Sequence, residues 1–462
     1  MDPPHRLDVG ADSRAVAATE ISGLRLCGVM WFALYVLLVL LPATVALGVD
    51  PFEGPRPALV EMSTALGLLA FPLLTIQFAL VSRLRASSRP FGTDAMVQFH
   101  QYVGLLCLLL VIGHPLLLNA QGLPWSIWNP LGSTPALQAG IVAAAAIVAM
   151  TVTTAFRRRA GLSYEQWQWL HLSMAVIAVA AALRHVLAVG GYGRAMPLRY
   201  LLTAYVVAFG SILVVYRLLR PLGMRRRPWQ VTEHRNEGAS TRTVRVCPIG
   251  HGGFEFEPGQ FAWLVTGATP WSSQQHPLSI SSSAVRSADR GLEFSIKALG
   301  DWSSTVVPQL APGTRIWVDG PFGAFTIDRR AAQGFVLVAG GIGIAPVRSM
   351  LLTMRDRGDR RHVVLFHAAH DETRIIFREE LEALRDTVTL DIVYVLEAPA
   401  ADWTGERGLI TEDVLRRHLP AQLHGYGCFV CGPPAMMDAT ETMLVSLGVP
   451  SGSIDTERFH VG

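Results

Sequence analysis

Four of the fourteen histidines in this 462-residue chain lie within or at the ends of long apolar segments, where their spacing suits redox chemistry. His100 and His114 are 14 positions apart, and so are His171 and His185. In an α-helix, 14 residues return a side chain to within ~40° of the same face, about 21 Å farther along the axis. Each pair is therefore expected on one helix face, with one imidazole near each side of a membrane.

Two such helices running in the same direction place His100 level with His171, and His114 level with His185. Imidazoles paired at two depths suit the axial ligation of two b-type haems, which then carry electrons rather than bind O₂. A zinc site is disfavoured because no Cys, Asp or Glu is expected at either depth. Proton-relay and simply packed histidines remain open alternatives. Arg184, beside His185, is a candidate partner for a haem propionate.

A glycine-rich turn in the C-terminal half suggests nucleotide binding. A buried strand at 335–339 leads into the turn at 340–346 and a helix at 347–357, and a second strand follows at 362–367. Backbone N–H groups at the start of such a helix can bind a pyrophosphate. The turn departs from the dinucleotide fingerprint, because Pro346 stands at the third glycine position and no acidic residue ends the second strand.

The five cysteines do not predict a disulfide framework, since they are scattered and odd in number. Cys428 and Cys431 form a CxxC pattern of the kind that binds metals. Buried structural cysteines are favoured there, because Cys428 falls in a predicted strand and no second ligand pair exists. The C-terminal half is therefore expected in a reducing cytoplasm.

The elements that must position these residues fall into two halves. Half of the residues are hydrophobic (50%) and 16% are charged, against roughly 25% charged in soluble domains. Six apolar stretches are each long enough to span a bilayer, at 24–47, 58–81, 97–118, 136–156, 166–189 and 199–219. The first is too long for a signal peptide, so the N-terminus is expected to be retained.

The second half reads as a soluble sequence with two patterns. Short β-prone runs between Gly and Pro turns predict an antiparallel barrel, at 243–246, 261–265, 292–296 and 315–318. From 335 onward, strands alternate with helices and predict an α/β domain. Beyond the first βαβ unit, helices are expected at 377–385, 411–418 and 434–447, and strands at 389–396 and 426–430.

The distribution of arginine in the short loops predicts the orientation. Three loops are arginine-rich: Arg83, Arg85 and Arg89; Arg157, Arg158 and Arg159; and Arg220, Arg225, Arg226 and Arg227. These loops belong inside, so both termini and the soluble half are expected to be cytoplasmic. A net charge of +3 implies no nucleic-acid partner. The expected partner is the lipid bilayer.

Six ordered motifs, together with the paired histidines, resemble the NADPH oxidase and ferric reductase family over about 24–462. They are HPLSISS (276–282), KALGDWS (297–303), GPFG (320–323), GGIGIAP (340–346), CGPP (431–434) and ERF (457–459). The resemblance implies a six-helix transmembrane bundle and a ferredoxin-NADP reductase-like module with a β-barrel FAD domain and an α/β nucleotide-binding domain. The expected divisions are a cytoplasmic segment 1–23, a di-haem domain 24–220, an FAD domain 228–328 and an NAD(P) domain 329–462.

The resemblance also implies roles for individual residues. The flavin ring and ribityl chain would contact His276, Pro277, Leu278, Ser279 and Ile280, with Ser279 near N5. The FAD pyrophosphate would bind Lys297, Gly300 and Ser303, and the coenzyme phosphates Gly340, Gly341, Gly343 and Pro346. Cys431, Gly432 and Pro433 would border the nicotinamide, and Phe459 would stack on the flavin and move aside for hydride transfer. Leu278 replaces the usual Phe, and Phe459 is followed by three more residues where many members end.

The implied activity is electron transfer from NAD(P)H through FAD, the inner haem (His100 and His171) and the outer haem (His114 and His185) to O₂, giving superoxide. Reduction of ferric or cupric chelates is an open alternative. Another is an electron-transfer subunit that reduces a periplasmic protein, although a protein partner is not required. The expected location is a bacterial inner membrane. Constitutive activity is expected, because there is no EF-hand pattern and no long N-terminal domain.

The segment after the second nucleotide-domain strand predicts coenzyme choice. Asp371 is placed to accept from the ribose of NADH. Arg374, with Arg378 one turn later, is placed to hold the 2′-phosphate of NADPH. The alternative is that both arginines simply pair with nearby acids. Dual use with a modest NADPH preference is expected.

Overall fold

The structure is a computed structural model that describes residues 9–49, 52, 54–84, 91–285 and 289–458, with backbone only for 9–25, 93 and 94. The chain divides into two compact units. One is built from Cys27–Ser87 and Ala95–Arg220, and the other includes Pro221–Val461. Phe459, Arg85 and Arg89 lie outside the described residues.

Six helices in the first part of the chain are long and apolar enough to cross a membrane, as predicted. They are α1 (Val9–Leu47), α2 (Ala58–Leu80), α3 (Thr93–Ala120), α4 (Pro135–Ala155), α5 (Tyr164–Ala188) and α6 (Met196–Val214). α6 continues through a π-helical turn, Val215–Leu219, into Arg220–Arg225. The start of α5 is fixed by a capping box, in which Ser163 and Gln166 each bond the other's backbone N–H.

α2 is the central helix of the membrane unit. Half of its most apolar window is buried, against 11–17% for the other five helices. One face, with Leu73 and Leu74, packs on Cys107 of α3, Ile147 of α4 and Ala178 of α5. Other α2 residues pack against α1 and α6. α2 is therefore placed to contact helices on several sides.

The antiparallel sheet forms a closed barrel. Its strands are β1 (Trp229–Gly238), β2 (Thr241–Pro248), β3 (Phe261–Val265), β4 (Gln275–Ser279), β5 (Leu292–Lys297) and β6 (Arg315–Phe322), in the order β4-β3-β6-β1-β2-β5. A bridge between Ile280 and Phe294 joins the two end strands. Fully buried Trp229, Leu264 and Phe294 fill the interior. A short helix, α7 (Asp301–Thr305), follows β5.

The nucleotide-binding sheet has six parallel strands. They are β7 (Gly334–Gly340), β8 (His362–Ala369), β9 (Leu390–Leu396), β10 (Glu406–Arg407), β11 (Tyr426–Cys431) and β12 (Ile454–Glu457), in the order β10-β9-β8-β7-β11-β12. Its helices are α8 (Ile344–Arg357), α9 (Arg378–Leu384), α10 (Glu412–His418) and α11 (Pro434–Ser446). The strand order reverses between β7 and β11, and ligands of such sheets bind at the carboxyl ends of the strands at that point.

The prediction that the second strand ends at His367 is wrong. Ala368 and Ala369 continue β8 because they pair with Val395 and Leu396 of β9. The segment that follows the strand therefore begins at His370. Asp371 and Arg374 stand two residues closer to the strand end than the sequence suggested.

Candidate functional site

The four histidines meet in two pairs, one pair from α3 and α5 at each of two levels. The ring centroids of His100 and His171 are 6.3 Å apart, and those of His114 and His185 are 6.1 Å apart. Because a metal–imidazole bond is about 2 Å long, two rings that bind one ion from opposite sides have centroids roughly 6 Å apart. We call His100 and His171 the inner pair, and His114 and His185 the outer pair, after the predicted orientation.

Side chains of α2 and α4 accept hydrogen bonds from the inner pair. His100 Nδ1 donates to Gln77 Oε1 at 2.6 Å, and Gln77 Nε2 donates to the His100 carbonyl at 3.2 Å. His171 Nδ1 lies 3.3 Å from Thr154 Oγ1, which also accepts from Trp167 Nε1 at 3.2 Å. Gln77 and Thr154 were not among the predicted site residues.

Backbone carbonyls accept hydrogen bonds from the outer pair. His114 Nδ1 donates to the Ser63 carbonyl at 2.7 Å, while the Ser63 hydroxyl donates to the His114 carbonyl at 2.7 Å. His185 Nδ1 donates to the Ala136 carbonyl at 2.9 Å. An acceptor on Nδ1 fixes the tautomer and directs Nε2 toward a metal.

These contacts fit two haems with two axial histidines each. Among the described side chains no group of three or more His, Cys, Asp or Glu could hold a metal ion. Haem iron needs only two axial protein ligands. Arg184, the candidate propionate partner, is exposed.

The predicted flavin segment is β4 and the bridge that follows it. The ring of His276 stacks on Trp302 of α7, with centroids 3.9 Å apart and planes 20° apart, and Trp302 Nε1 donates to Thr266. Ser279 is buried at the end of β4, and Ile280 is fully buried in the barrel core. Pro277 and Leu278 are partly buried.

The predicted pyrophosphate residues lie at the end of β5 and the start of α7. The Ser303 hydroxyl accepts from the backbone N–H groups of Leu299 and Gly300, so it already caps this turn. Lys297 Nζ lies 3.6 Å from where a Cβ on Gly341 would be. The ammonium group of Lys297 thus lies beside the glycine turn of the nucleotide-binding sheet.

The glycine turn and the CGPP segment cross at the point where the strand order reverses. A Cβ on Gly343 would overlap the Cys431 carbonyl, and a Cβ on Gly432 would lie 3.0 Å from Gly340 Cα. Glycine is therefore needed for the two backbones to approach this closely. Pro346 lies in the first turn of α8, which begins at Ile344, three residues before the predicted start. Pro433, directly before α11, is exposed.

α8 fastens the nucleotide-binding sheet to the barrel. Arg348 is 5% exposed, and it donates to the Ser281 carbonyl at 2.9 Å, to Glu293 at 2.8 Å and to both oxygens of Glu380. Ser349 donates to the Ser282 carbonyl. Burial alone would raise the pKa of Glu293, but Arg348 and Arg235 lower it below its usual value. The motif that contains Ser279 is thus held next to the helix that follows the glycine turn.

The predicted coenzyme-selecting arginines make different contacts. Arg374 is 54% exposed and lies 3.4 Å from Asp371. Arg378 lies over the rings of Tyr394 and Trp403, 5.6 Å from each centroid, and it forms no ion pair within the described part of the chain. In the CxxC pair, both cysteines are buried free thiols, and burial raises the pKa of Cys428 to about 12.

Two family models match the chain. The "Ferric reductase like transmembrane component" matches residues 66–182, which include three of the four paired histidines, and the "Oxidoreductase NAD-binding domain" matches residues 337–442. The chain also resembles the reductase component of propane 2-monooxygenase from Rhodococcus jostii, with 29% identity over 47% of this chain and 59% of the relative. The electron transfer component XylA of xylene/toluene monooxygenase from Pseudomonas putida is 32% identical over 39% of this chain and 53% of the relative.

The chain spans about half the length of the curated relatives it matches. Among solved structures, the FAD/NAD-binding domain of a nitric oxide dioxygenase from Vibrio cholerae covers 50% of this chain and 98% of its own, with a TM-score of 0.45 and 21% identity. The two family matches support an oxidoreductase with a transmembrane component. A ferric-reductase-like transmembrane domain followed by an oxidoreductase NAD-binding domain is the architecture of the NADPH oxidase and ferric reductase family, and this chain has that architecture.

Proposed function

We propose that the chain is a transmembrane NAD(P)H oxidase that uses FAD and two b-type haems to reduce O₂ to superoxide. The observation that carries the proposal is the pairing of imidazoles at two levels, with centroids 6.3 Å and 6.1 Å apart and every Nδ1 hydrogen-bonded. The NAD-binding domain match supports a pyridine nucleotide as the electron source.

When bound, NAD(P)H supplies a hydride, FAD converts its electron pair into single electrons, and the haems carry these across the bilayer. The chain contributes the residues that hold and orient these groups. The two histidine pairs would hold the two haems. The flavin and coenzyme would be bound by the residues predicted above, namely 276–280, Lys297, Gly300, Ser303, Gly340, Gly341, Gly343, Pro346, Cys431, Gly432, Pro433 and Phe459.

Two features of the soluble unit support this assignment. The stacked rings of His276 and Trp302 give β4 a fixed planar edge. The bonds from Arg348 and Ser349 to the 281–282 backbone connect the segment after β4 to α8. Orientation of this kind is what a protein provides for hydride transfer between two bound cofactors.

The proposal includes the predicted divisions at 1–23, 24–220, 228–328 and 329–462. It also includes cytoplasmic termini in a bacterial inner membrane, and dual coenzyme use with Arg374 favouring NADPH. Arg374 supports this choice because it is exposed near the carboxyl end of β8 and, among the described residues, forms an ion pair with neighbouring Asp371 alone.

Reduction of a ferric or cupric chelate is a second candidate, which the ferric-reductase-like match favours. A third is reduction of a partner protein, which the names of the two monooxygenase relatives favour. All three share the same internal chemistry and differ only in the acceptor.

The acceptor is tested by reoxidation of the chemically reduced, purified protein in a stopped-flow spectrometer. Oxidation of the haem absorption bands by O₂ alone, with matching superoxide formation, is the expected result. Rapid oxidation by ferric citrate under argon, with slow oxidation by O₂, identifies a chelate reductase instead. Slow oxidation by both, together with a co-purifying protein that accepts electrons, identifies the third function.

A further inference from the structure

The helices α2 and α4 contain none of the four paired histidines, yet they accept hydrogen bonds from all four rings. α2 holds both α3 histidines and α4 holds both α5 histidines. On α2 the two contact residues, Ser63 and Gln77, are 14 positions apart, which is the spacing of His100 and His114 themselves. The α2 acceptors therefore follow the same axial repeat as the α3 histidines that they contact.

The outer pair donates to two backbone carbonyls that a glycine leaves uncovered. Ser63 and Ala136 are each followed four residues later by a glycine, Gly67 and Gly140. In a helix the carbonyl of residue i points toward residue i+4, whose side chain can cover it. A Cβ on Gly140 would lie 2.8 Å from His185 Nδ1, and a Cβ on Gly67 would lie 3.4 Å from His114 Nδ1.

The inner pair is held by side chains instead. Gln77 hydrogen-bonds both the ring and the carbonyl of His100, and Thr154 accepts a hydrogen bond from His171. Since the two pairs use different acceptors on different residues, a substitution can change one pair and leave the other as it is.

We propose that α2 and α4 together position the two histidine pairs, and that different residues of these helices serve each pair. Gly67 and Gly140 serve the outer pair by exposing carbonyls, and Gln77 serves the inner pair by its side-chain amide. This inference rests on the proposed function, because it assumes that each pair binds a haem. An acceptor on Nδ1 makes the imidazole a stronger electron donor, which stabilises ferric iron and lowers the reduction potential. These positioning residues thus set the two potentials independently.

The test of the outer pair is Gly140→Ala in the full-length, detergent-purified chain, measured by haem content, potentiometric titration and low-temperature EPR. One of the two potentials and one of the two ferric low-spin signals should change, or one haem should be lost, while the other stays at the wild-type value. Gly67→Ala should shift the same haem by less, because its Cβ meets only ordinary contact distance. Gly210→Ala on α6 is the matched control, since its Cβ would have nothing within 4 Å.

The test of the inner pair is a change of acceptor at Gln77. Gln77→Leu removes the acceptor from His100 and should raise the potential of the haem that Gly140→Ala leaves unchanged. Gln77→Glu supplies a stronger, charged acceptor and should lower it. A residue with only a packing role would not shift the potential in opposite directions.

The results distinguish a failure of this inference from a failure of the proposed function. If the wild-type chain binds two haems but Gly140→Ala and both Gln77 variants keep both potentials and both EPR signals, the positioning roles are overturned and the oxidase proposal stands. If Gly140→Ala moves both potentials equally, independent positioning is overturned. A wild-type chain that binds no haem overturns the proposed function itself.

Discussion

At the scale of single residues, Arg374 carries the proposed coenzyme preference. Its guanidinium is exposed near the carboxyl end of β8, where the adenosine ribose of a bound coenzyme lies in sheets of this type. Its ion pair with Asp371 is exposed, and such pairs contribute about 0–1 kcal/mol. Exchanging this partner for a phosphate therefore costs little.

Arg374→Ala should raise KM for NADPH and leave KM for NADH nearly unchanged, because the contact is made equally in ground and transition states. Steady-state reduction of a soluble dye with each coenzyme measures the effect. Arg416→Ala is the control, because Arg416 forms a similarly exposed ion pair with Glu412 on α10. An equal loss with both coenzymes would assign Arg374 a structural role.

His367 is a second residue with a measurable consequence. It is fully buried in β8, and neither ring nitrogen has a hydrogen-bond partner among the described residues. Burial lowers the pKa of His367 to about 4. The folded chain thus keeps this imidazole neutral at pH values where the unfolded chain protonates it.

The stability of the folded chain should fall as the pH is lowered, because of His367. Above about pH 6.5 the ring is neutral in both states; between there and about pH 4 only the unfolded state gains the proton. The free energy of unfolding then falls by up to about 1.4 kcal/mol per pH unit. His367→Leu should flatten this slope in thermal unfolding measured from pH 7.5 to 4.5. An unchanged slope would show that other groups set the acid sensitivity.

At the scale of elements, α8 is the link between the barrel and the nucleotide-binding sheet. Arg348 joins Glu293 of β5 to Glu380 of α9, and its removal leaves one buried and one half-buried carboxylate short of a partner. Removing one partner of a buried pair costs about 3–5 kcal/mol. Arg348→Met should approach the lower value, because Glu293 keeps Arg235 and Arg245.

The free energy of unfolding of Arg348→Met is measured by chemical denaturation, with flavin release as the signal. Arg355→Met on the same helix is the matched control: Arg355 is 41% exposed and, within the described part of the chain, pairs only with its neighbour Asp356, so about 0–1 kcal/mol is expected. Equal stability of the two variants would show that α8 does not depend on the Arg348 bonds.

The helices α3 and α5 make a separate prediction about haem content. Because the histidines pair at two levels, His114→Ala should remove one haem and leave the His100–His171 site loaded. Haem quantification by the pyridine haemochrome method, with the protein concentration from amino-acid analysis, should give two per wild-type chain and one per variant chain. One or no haem in the wild type contradicts the pairing.

Elements whose burial follows a simple period were predictable, and those shaped by contacts were not. The apolar runs at 261–265 and 335–339 lie in β3 and β7. β4 escaped prediction because it reads Gln275–His276–Pro277, and β12 because only four residues pair with β11. Likewise the histidine spacing predicted the pairs, but Gln77 and Thr154 depend on how α2 and α4 pack, which no period along one helix reveals.

At the scale of the whole molecule, the chain consists of one unit of apolar, membrane-spanning helices and one unit whose sequence is typical of soluble domains. The membrane unit has its own cores around α2. The second unit has a barrel core and cores on both faces of the parallel sheet, and it carries every flavin and nucleotide motif named above. We therefore expect the soluble unit to fold without the membrane helices.

A fragment beginning at Arg227 should accordingly fold, bind FAD and oxidise NAD(P)H with a soluble dye as acceptor. The expected rate of dye reduction matches that of the full-length chain, because hydride transfer uses only residues of this unit. The same fragment should not bind haem, since all four paired histidines lie upstream. Circular dichroism and flavin fluorescence establish folding and binding before activity is measured. A folded fragment that reduces no dye at saturating FAD would show that the catalytic half has been assigned to the wrong residues.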